Sequence, residues 1–261
     1  MRTDHPLVRH DRLGPVATLT LDSPHNRNAL SVQLLAELAA SLQEARSDPD
    51  LRAVVLTATG GTFCSGVDLA ERLHPPRSAP ATLSQVLSAL AATPQPVIAR
   101  VNGHVRAGGM GLVAACDLAV APAAATFAFT EVRVGVAPAI IAVPALRRMG
   151  RRAFERYALT GDVLSAEAAA AAGLLSAVVP DLEELDMWVA GVVGSVLRSA
   201  PAAVAATKGL ADLAHRPWDD ALAAAEELSD RLFSSPAAAE GMSAFLEKRP
   251  PSWVMEWPPP A

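Results

Sequence analysis

The spacing of apolar residues divides the first 180 positions into alternating strand and helix patterns. Residues 16–21 alternate apolar and polar positions as a half-buried strand does. The helix pattern that follows, with Ser31 as its cap, places four leucines at helical spacing: Leu34, Leu35, Leu38 and Leu42. Short apolar runs predict further strands at 53–57, 97–99, 118–120 and 126–129. This alternation favours a stacked β/α architecture in which each unit covers its neighbour.

Strand patterns end near Pro180, and four helix patterns then follow one another, over residues 182–199, 201–215, 218–233 and 236–248. Each begins near a proline or an acidic residue, as helix starts often do. The apolar face of the third pattern, which includes Leu222 and Leu228, needs a partner. We therefore expect the chain from about residue 200 onward to form a helical region that packs on the core, on a neighbouring subunit, or on both.

Composition narrows the class of protein. The 261 residues are 51% hydrophobic and 19% charged, with a mean hydropathy of +0.26, which is enough apolar surface for a sizeable core. No apolar run approaches the ~20 residues of a membrane span, and the N-terminus has no apolar segment of the secretory kind. The net charge of −5 gives no reason to expect nucleic acid. Cys64 and Cys116 form no CxxC pair. We expect a soluble, cytoplasmic protein with no membrane or nucleic-acid partner.

Two glycine-rich segments follow predicted strands and lead towards helix starts. One covers residues 101–111 and fits neither the dinucleotide fingerprint nor the P-loop pattern; the other covers residues 60–69. Small residues let backbone N–H groups approach a ligand, and a helix N-terminus adds partial positive charge. Two such turns can supply the two donors that hold an enolate oxygen. Each turn alone is equally compatible with an ordinary turn of an α/β protein.

Three ordered motifs resemble the crotonase superfamily of enoyl-CoA hydratases and isomerases, over roughly residues 10–250. They are Phe63-Cys64-Ser65-Gly66-Val67-Asp68-Leu69, then Asn102-Gly103 with Gly108-Gly109 and Cys116-Asp117, then Leu159-Thr160-Gly161-Asp162 with Ala172-Gly173-Leu174. The resemblance implies an α/β fold: a crotonase-like spiral of ββα units over residues 1–198 and a helical trimerisation region over 199–261. It also implies acyl-CoA thioesters as substrates, no cofactor apart from the CoA of the substrate, and a homotrimer or dimer of trimers.

The resemblance also assigns catalytic positions. It implies that the thioester oxygen lies between the backbone N–H groups of Val67 and Gly108. Of the two glutamates that enoyl-CoA hydratases carry, the first falls on Gly111, which has no side chain, and the second falls on Glu131. A carboxyl near apolar walls has a raised pKa, as acid/base work near neutrality requires. The alternative is a solvated loop glutamate paired with Arg133.

A single carboxylate leaves the reaction open. An isomerase needs one group to move a proton, and hydration works with one glutamate if a single water supplies both hydroxyl and proton. We predict an enoyl-CoA hydratase, with a Δ3-Δ2 enoyl-CoA isomerase and a weakly catalytic acyl-CoA-binding protein as alternatives. The residues around Glu131 look closest to hydratases of the methylglutaconyl-CoA type. Arg133 then meets a distal substrate carboxylate, or else it forms a salt bridge to a neighbouring acid.

The remaining candidates bind or position the substrate. Four residues are candidates for contacts with CoA: His25, Arg27, Ser65 and Lys248. An ordinary surface role is equally compatible with the three basic ones. Asp68 is expected to cap the helix that starts at Leu69 and to steady the oxyanion turn. The histidines show no metal-ligand spacing, so no metal site is predicted. Specificity for the acyl group is expected to come from residues 73–92 and 133–144.

Overall fold

Successive strands divide between two sheets in the computed structural model, which describes residues 5–74 and 81–257. The larger sheet contains, in spatial order, β1 (Val8–Leu13), β2 (Val16–Leu21), β3 (Ala53–Ala58), β5 (Val97–Arg100), β7 (Leu118–Pro122) and β10 (Ala177–Val179). The smaller sheet contains β4 (Thr62–Cys64), β6 (His104–Arg106), β8 (Thr126–Ala128) and β9 (Leu164–Ser165). Strand β1 is antiparallel to β2, and the other pairs of the larger sheet are parallel.

The helices complete a repeating unit. They are α1 (Val32–Ser47), α2 (Leu69–Leu73), α3 (Leu83–Ala92), α4 (Gly108–Ala115), α5 (Ala139–Arg148), α6 (Arg151–Thr160), α7 (Ala166–Ala171), α8 (Leu182–Leu197), α9 (Pro201–Gly209), α10 (Trp218–Phe233) and α11 (Pro236–Glu247). The strand pairs β3–β4, β5–β6 and β7–β8 each precede one or two helices, and each pair sends its first strand to the larger sheet and its second to the smaller. The expected α/β spiral of ββα units is confirmed.

The core lies on both faces of the larger sheet. In β3, Val54 and Leu56 face the main core, whereas Ala53 and Val55 belong to a second cluster. This division follows the two-residue period of a strand and explains why β3 is buried throughout. The second cluster is completed by α8, whose buried residues are Leu185, Val189, Val193 and Leu197.

Most of the predicted helices form within two residues of their expected boundaries. The Ser31 hydroxyl accepts the Leu34 N–H at 3.2 Å, as its predicted role as the cap of α1 requires. The helix predicted over 201–215 is interrupted, because α9 ends at Gly209, a poor helix former, and a 3-10 helix covers Leu210–His215. The alternation did not identify β1, which carries charged side chains, or the three-residue strands β4 and β6.

The C-terminal helical region is tied to the core by ion pairs and hydrogen bonds. The Lys208 ammonium in α9 lies 2.7 Å from the Asp117 carboxylate. The buried Arg52 guanidinium donates to the carbonyls of Ser199 and Trp253. A domain boundary at residue 198 stays a prediction. No single helix in the described ranges is long and apolar enough to cross a membrane; α8 and the 201–215 segment, bent by 111°, reach that standard only as a pair.

Candidate active site

Three adjacent strands of the smaller sheet bring the predicted catalytic residues to one edge. Strand β6 lies between β4 and β8 and is parallel to both. Val67 comes three residues after β4, Gly108 two residues after β6, and Glu131 three residues after β8. Because the carboxyl ends of parallel strands meet at one edge of a sheet, all three residues emerge on the same side.

The turn after β4 is fixed by close contacts. Gly66 has φ of +100°, and a Cβ added there would lie 2.8 Å from the Cβ of Ala107 and 3.5 Å from the backbone nitrogen of Gly108. Only glycine combines this backbone conformation with this clearance. The carbonyl of Gly66 accepts the Leu30 N–H at 2.7 Å, and Leu30 forms a parallel bridge with Val67. The Val67 peptide is therefore held from both sides.

The turn after β6 is strained. Ala107 has φ of 46° and ψ of −119°, a conformation that costs free energy in an L-residue. It makes Gly108 the first residue of α4, where the N–H has no acceptor within the helix and the helix dipole is positive. A Cβ added at Gly108 would lie 2.9 Å from Leu30 Cδ1 and 3.6 Å from Val67 Cγ2. The two turns are thus in direct contact.

The backbone N–H groups of Val67 and Gly108 remain available for a ligand. Among the turn, loop and cap hydrogen bonds of residues 5–74 and 81–257, none is donated by either group. Two free donors on touching turns, one of them at a helix N-terminus, can together stabilise an oxyanion. The geometry is compatible with the oxyanion site predicted there.

Glu131 supplies a carboxyl group whose environment differs from that of a surface glutamate. It begins a short 3-10 helix, Glu131–Val134, and its side chain is half-buried. Within the described chain its Oε2 atom is buried and has no hydrogen-bond partner. Burial raises the pKa of the Glu131 carboxyl above its usual 4.5, against a smaller lowering by its own backbone N–H. A raised pKa makes the ionised carboxylate a stronger base than a solvated glutamate.

The Arg133 guanidinium binds Asp162 and Gly161 and not Glu131. Its Nη2 lies 3.3 Å from Asp162 Oδ1, and its Nε donates to the Gly161 carbonyl at 3.1 Å. A solvated Glu131 paired with Arg133 does not fit these contacts. Of the two roles considered for Arg133, the structure shows the salt bridge to a neighbouring acid.

The position of the absent first glutamate is filled by its neighbours. A Cβ added at Gly111 would lie 2.5 Å from Ile141 Cγ2 and 3.4 Å from Leu87 Cδ1. Both residues are buried, Ile141 at 2% exposure and Leu87 at 6%. A side chain at position 111 therefore requires Ile141 to move. Where the first glutamate is expected, the site has no acid/base group but an apolar wall formed by Ile141 and Leu87.

The turn after β4 also contains the predicted cap, Asp68, and the predicted CoA contact Ser65, which lies beside the segment that carries His25 and Arg27. The Asp68 carboxylate accepts the N–H groups of Ala70 at 3.0 Å and Glu71 at 3.2 Å, which confirms the cap. The Ser65 N–H donates to the Arg27 carbonyl at 3.0 Å. His25, two residues before Arg27 in the chain, is exposed, as is Arg27 itself.

Lys248 lies apart from that group. It is exposed at the C-terminus of α11, and no hydrogen bond or ion pair in the described part of the chain joins it to Arg27 or Ser65. The structure therefore brings three of the four candidate CoA contacts together. Binding of CoA by His25, Arg27, Ser65 and Lys248 stays a prediction.

The cysteines are buried beside the site. Burial raises the pKa of the Cys64 thiol to about 12 and raises that of Cys116 as well. Both thiols are protonated near neutrality, which makes them poor nucleophiles. Within the described ranges, no three His, Cys, Asp or Glu side chains lie together as metal ligands do.

Three residues of the site carry no signal in the motifs. Leu30 packs against Gly108 and bridges Val67, Ala107 takes the strained conformation, and Ile141 fills the space beside Gly111. Ile141 lies in the 133–144 segment expected to govern specificity. A glycine at position 111 indicates that another residue fills the space of the expected glutamate side chain, but the sequence does not identify that residue.

Comparison with known proteins shows the family of the chain. The model of the enoyl-CoA hydratase/isomerase family matches residues 12–256. The chain is 34% identical to enoyl-CoA hydratase domain-containing protein 3, mitochondrial, of Homo sapiens over 94% of this chain and 82% of that protein. It is 32% identical to the mevalonyl-coenzyme A hydratase sidH of Aspergillus fumigatus, with 91% of each chain covered.

A solved structure is similar along nearly the whole chain. The enoyl-CoA hydratase of Mycobacterium smegmatis has a TM-score of 0.87 and 38% identity, with 95% of this chain and 99% of that chain covered. The fold, the order of the motifs and the family match agree. The chain belongs to the enoyl-CoA hydratase/isomerase family.

Proposed function

We propose that the protein is an enoyl-CoA hydratase that uses Glu131 as its single acid/base group. The observation that carries this proposal is the placement of a half-buried carboxyl with an unpartnered oxygen at the same sheet edge as two free backbone donors. The donors and the carboxyl then act on different atoms of the same substrate. The donors stabilise charge on the thioester oxygen, and the carboxyl handles the protons.

The reaction balances with one carboxylate and one water. Ionised Glu131 removes a proton from water, and the hydroxide oxygen bonds to the β-carbon of the 2-enoyl thioester. Electrons of the double bond move to the thioester oxygen, where the N–H groups of Val67 and Gly108 stabilise the enolate. Protonated Glu131 then returns the proton to the α-carbon. Burial raises the pKa of the Glu131 carboxyl, which makes the ionised carboxylate a stronger base towards water than a solvated glutamate. CoA is part of the substrate, and no other cofactor takes part.

The test is Glu131→Gln, which keeps the size of the side chain and removes the base. We expect kcat on 2-enoyl-CoA substrates to fall by roughly 10²–10⁴-fold, the usual contribution of general acid–base catalysis, with little change in the affinity for CoA. Glu155→Gln in α6, whose carboxylate pairs with Arg151, is the matched control and should keep full activity. Full activity of Glu131→Gln on every substrate would overturn the single-glutamate mechanism.

Ile141 fills the place beside Gly111 where a second carboxyl group is expected. This supports the isomerase alternative, because moving a proton along the acyl chain needs only one carboxyl group. Product analysis in H₂¹⁸O separates the two reactions. A hydratase places one ¹⁸O atom in the 3-hydroxyacyl product, whereas a Δ3-Δ2 isomerase converts 3-enoyl-CoA to 2-enoyl-CoA without incorporating label. Tight CoA-thioester binding with neither product would favour the weakly catalytic binding protein.

Exposed apolar side chains support assembly into a homotrimer or a dimer of trimers. Helix α10 has no fully buried residue in the single chain. Trp218 at its start is 76% exposed, and Phe245 in α11 is 83% exposed. Apolar surface of this kind is normally covered by a partner. Light scattering at micromolar concentration should report three or six times the 27.1 kDa chain mass, and a stable monomer would contradict the assembly.

A further inference from the structure

A cavity of about 530 Å³ lies beyond the wall at Gly111. It lies between α3, α4, α5 and the 3-10 helix Leu210–His215 and is partly open to solvent. Its apolar lining includes Leu87, Ala91, Ala114, Ala115, Ile140 and Val143. Its charged lining includes the ion pairs Lys208–Asp117 and Arg147–Asp212. A volume of this size is typical of a ligand pocket. None of the predicted catalytic residues lines it.

Helix α4 connects the oxyanion turn to this cavity. Gly108, Gly111 and Ala115 are spaced by three and four residues, so they lie along one face of the helix. Seven residues at 1.5 Å each put Ala115 about 10 Å along the axis from Gly108. An acyl chain that starts at Gly108 and follows this face passes Gly111 and then reaches the cavity.

That path is closed at its midpoint. Ile141 from α5 and Leu87 from α3 meet over Gly111, where an added Cβ would be only 2.5 Å from Ile141 Cγ2. Leu87 lines the cavity, and so does Ile140, the chain neighbour of Ile141. The pair Ile141 and Leu87 therefore lies between Gly111 and the cavity. We define Ile141 and Leu87 as the partition.

We propose that the partition restricts the enzyme to compact acyl groups and that the cavity behind it accepts a longer acyl chain once the partition is opened. The proposal rests on the proposed function, because it takes the acyl thioester to be held at Val67 and Gly108. The small residues Gly111, Ala114 and Ala115 leave α4 itself without an obstacle. Ile141 and Leu87 are then the residues that determine acyl length.

The experiment compares a four-carbon with a ten-carbon 2-enoyl-CoA. The unmodified enzyme should have a kcat/KM at least about tenfold higher on the four-carbon substrate, and Ile141→Ala should raise the ten- to four-carbon ratio by at least about tenfold. Each newly buried methylene group is worth roughly a factor of four, so several of them exceed this threshold. Leu87→Ala should shift the ratio in the same direction and serves if Ile141→Ala does not fold.

The matched control is Leu90→Ala. Leu90 is fully buried on the same helix as Leu87 but does not line the cavity, so it reproduces the loss of packing without opening the partition. Its ratio should equal that of the unmodified enzyme. An unmodified enzyme that uses both chain lengths equally, or equal ratios in all three variants, would overturn the proposal.

Binding separates this proposal from the proposed function. Calorimetry with butanoyl-CoA and decanoyl-CoA measures the same ratio as dissociation constants, without any turnover. A shifted binding ratio in a protein that hydrates no enoyl-CoA would reject the hydratase and keep the partition. Hydration with an unshifted ratio would reject the partition and keep the hydratase.

Discussion

The two sides of the candidate site are built in different ways. On the oxyanion side the groups are backbone N–H donors of Val67 and Gly108, held by contacts in which an added Cβ would come within 3 Å of a neighbour. On the acid/base side the structure offers one carboxyl, Glu131, and an apolar wall formed by Ile141. Substituting Val67 or Gly108 by any residue except proline leaves its backbone N–H in place, whereas one substitution removes the Glu131 carboxyl.

This difference separates the part of the site that the fold determines from the part that single residues determine. Displacing the oxyanion turns requires changes in the loops between β4 and α2 and between β6 and α4. Changing the acid/base side requires only one or two side-chain substitutions, because Gly111 and Ile141 lie in helices that keep their backbone. The resemblance implies that hydratases carry a glutamate where this chain has Gly111, which fits that view.

The largest effect among the tests of this comparison is expected from Gly66→Ala. The added methyl group would meet the Cβ of Ala107 at 2.8 Å, with φ at +100°, so both oxyanion turns must shift. Misplacing one donor costs roughly 10²–10³ in kcat. Gly14→Ala is the control for backbone strain alone, because Gly14 has φ of +53° with no atom within 4 Å of an added Cβ. Equal activity of Gly66→Ala and Gly14→Ala would show that the touching turns do not position the donors.

A smaller effect is expected in the pH dependence of kcat/KM. The decrease of kcat/KM at low pH tests the acid/base side alone. Hydration needs ionised Glu131, and burial raises its pKa above 4.5. The value of kcat/KM should therefore fall as pH drops through the raised pKa, by up to about tenfold per pH unit, and at a higher pH than for a solvated glutamate. Gly66→Ala should keep the same decrease at a lower rate. A decrease centred at 4.5 would contradict the buried carboxyl.

The same shift has a consequence for stability that needs no substrate. A carboxyl whose pKa is raised by folding contributes most to stability when it is protonated, and that contribution is lost as pH rises through the folded pKa. Glu131→Gln has no such loss. The melting temperature of Glu131→Gln relative to the unmodified protein should therefore rise as pH increases above 4.5 and level off above the folded pKa.

Local sequence signals account for the parts of the fold that short-range interactions determine. Ser31 and Asp68 are predicted as caps, and both accept the expected backbone N–H groups. The edge strand β1 escapes prediction because it carries four charged or histidine side chains between its apolar ends. Strands β4 and β6 are too short for alternation to identify, although they hold the two oxyanion turns.

The contacts that shape the site join residues far apart in the chain. Gly111 and Ile141 are thirty positions apart in the sequence, and neither position alone indicates that the second fills the space beside the first. Arg133 likewise forms an ion pair with Asp162, which lies in the segment between α6 and β9. The family resemblance supplied Glu131 as a position, but its buried, unpartnered oxygen follows only from the packing around it.

The smallest effect should come from Asp68→Ala, which loosens the oxyanion side without removing a donor. Asp68 caps α2 directly after Val67, and loss of such a cap costs about 1 kcal/mol of folding free energy. Asp181 caps α8 in the same way, accepting the N–H groups of Glu183 and Glu184, and it follows β10 of the other sheet. Asp181→Ala should match the stability loss in urea denaturation and keep kcat/KM unchanged, whereas Asp68→Ala should lower kcat/KM several-fold, with recovery in Asp68→Asn. Equal kcat/KM in the two alanine variants would mean that the Val67 donor is positioned by Leu30 and Gly66 alone.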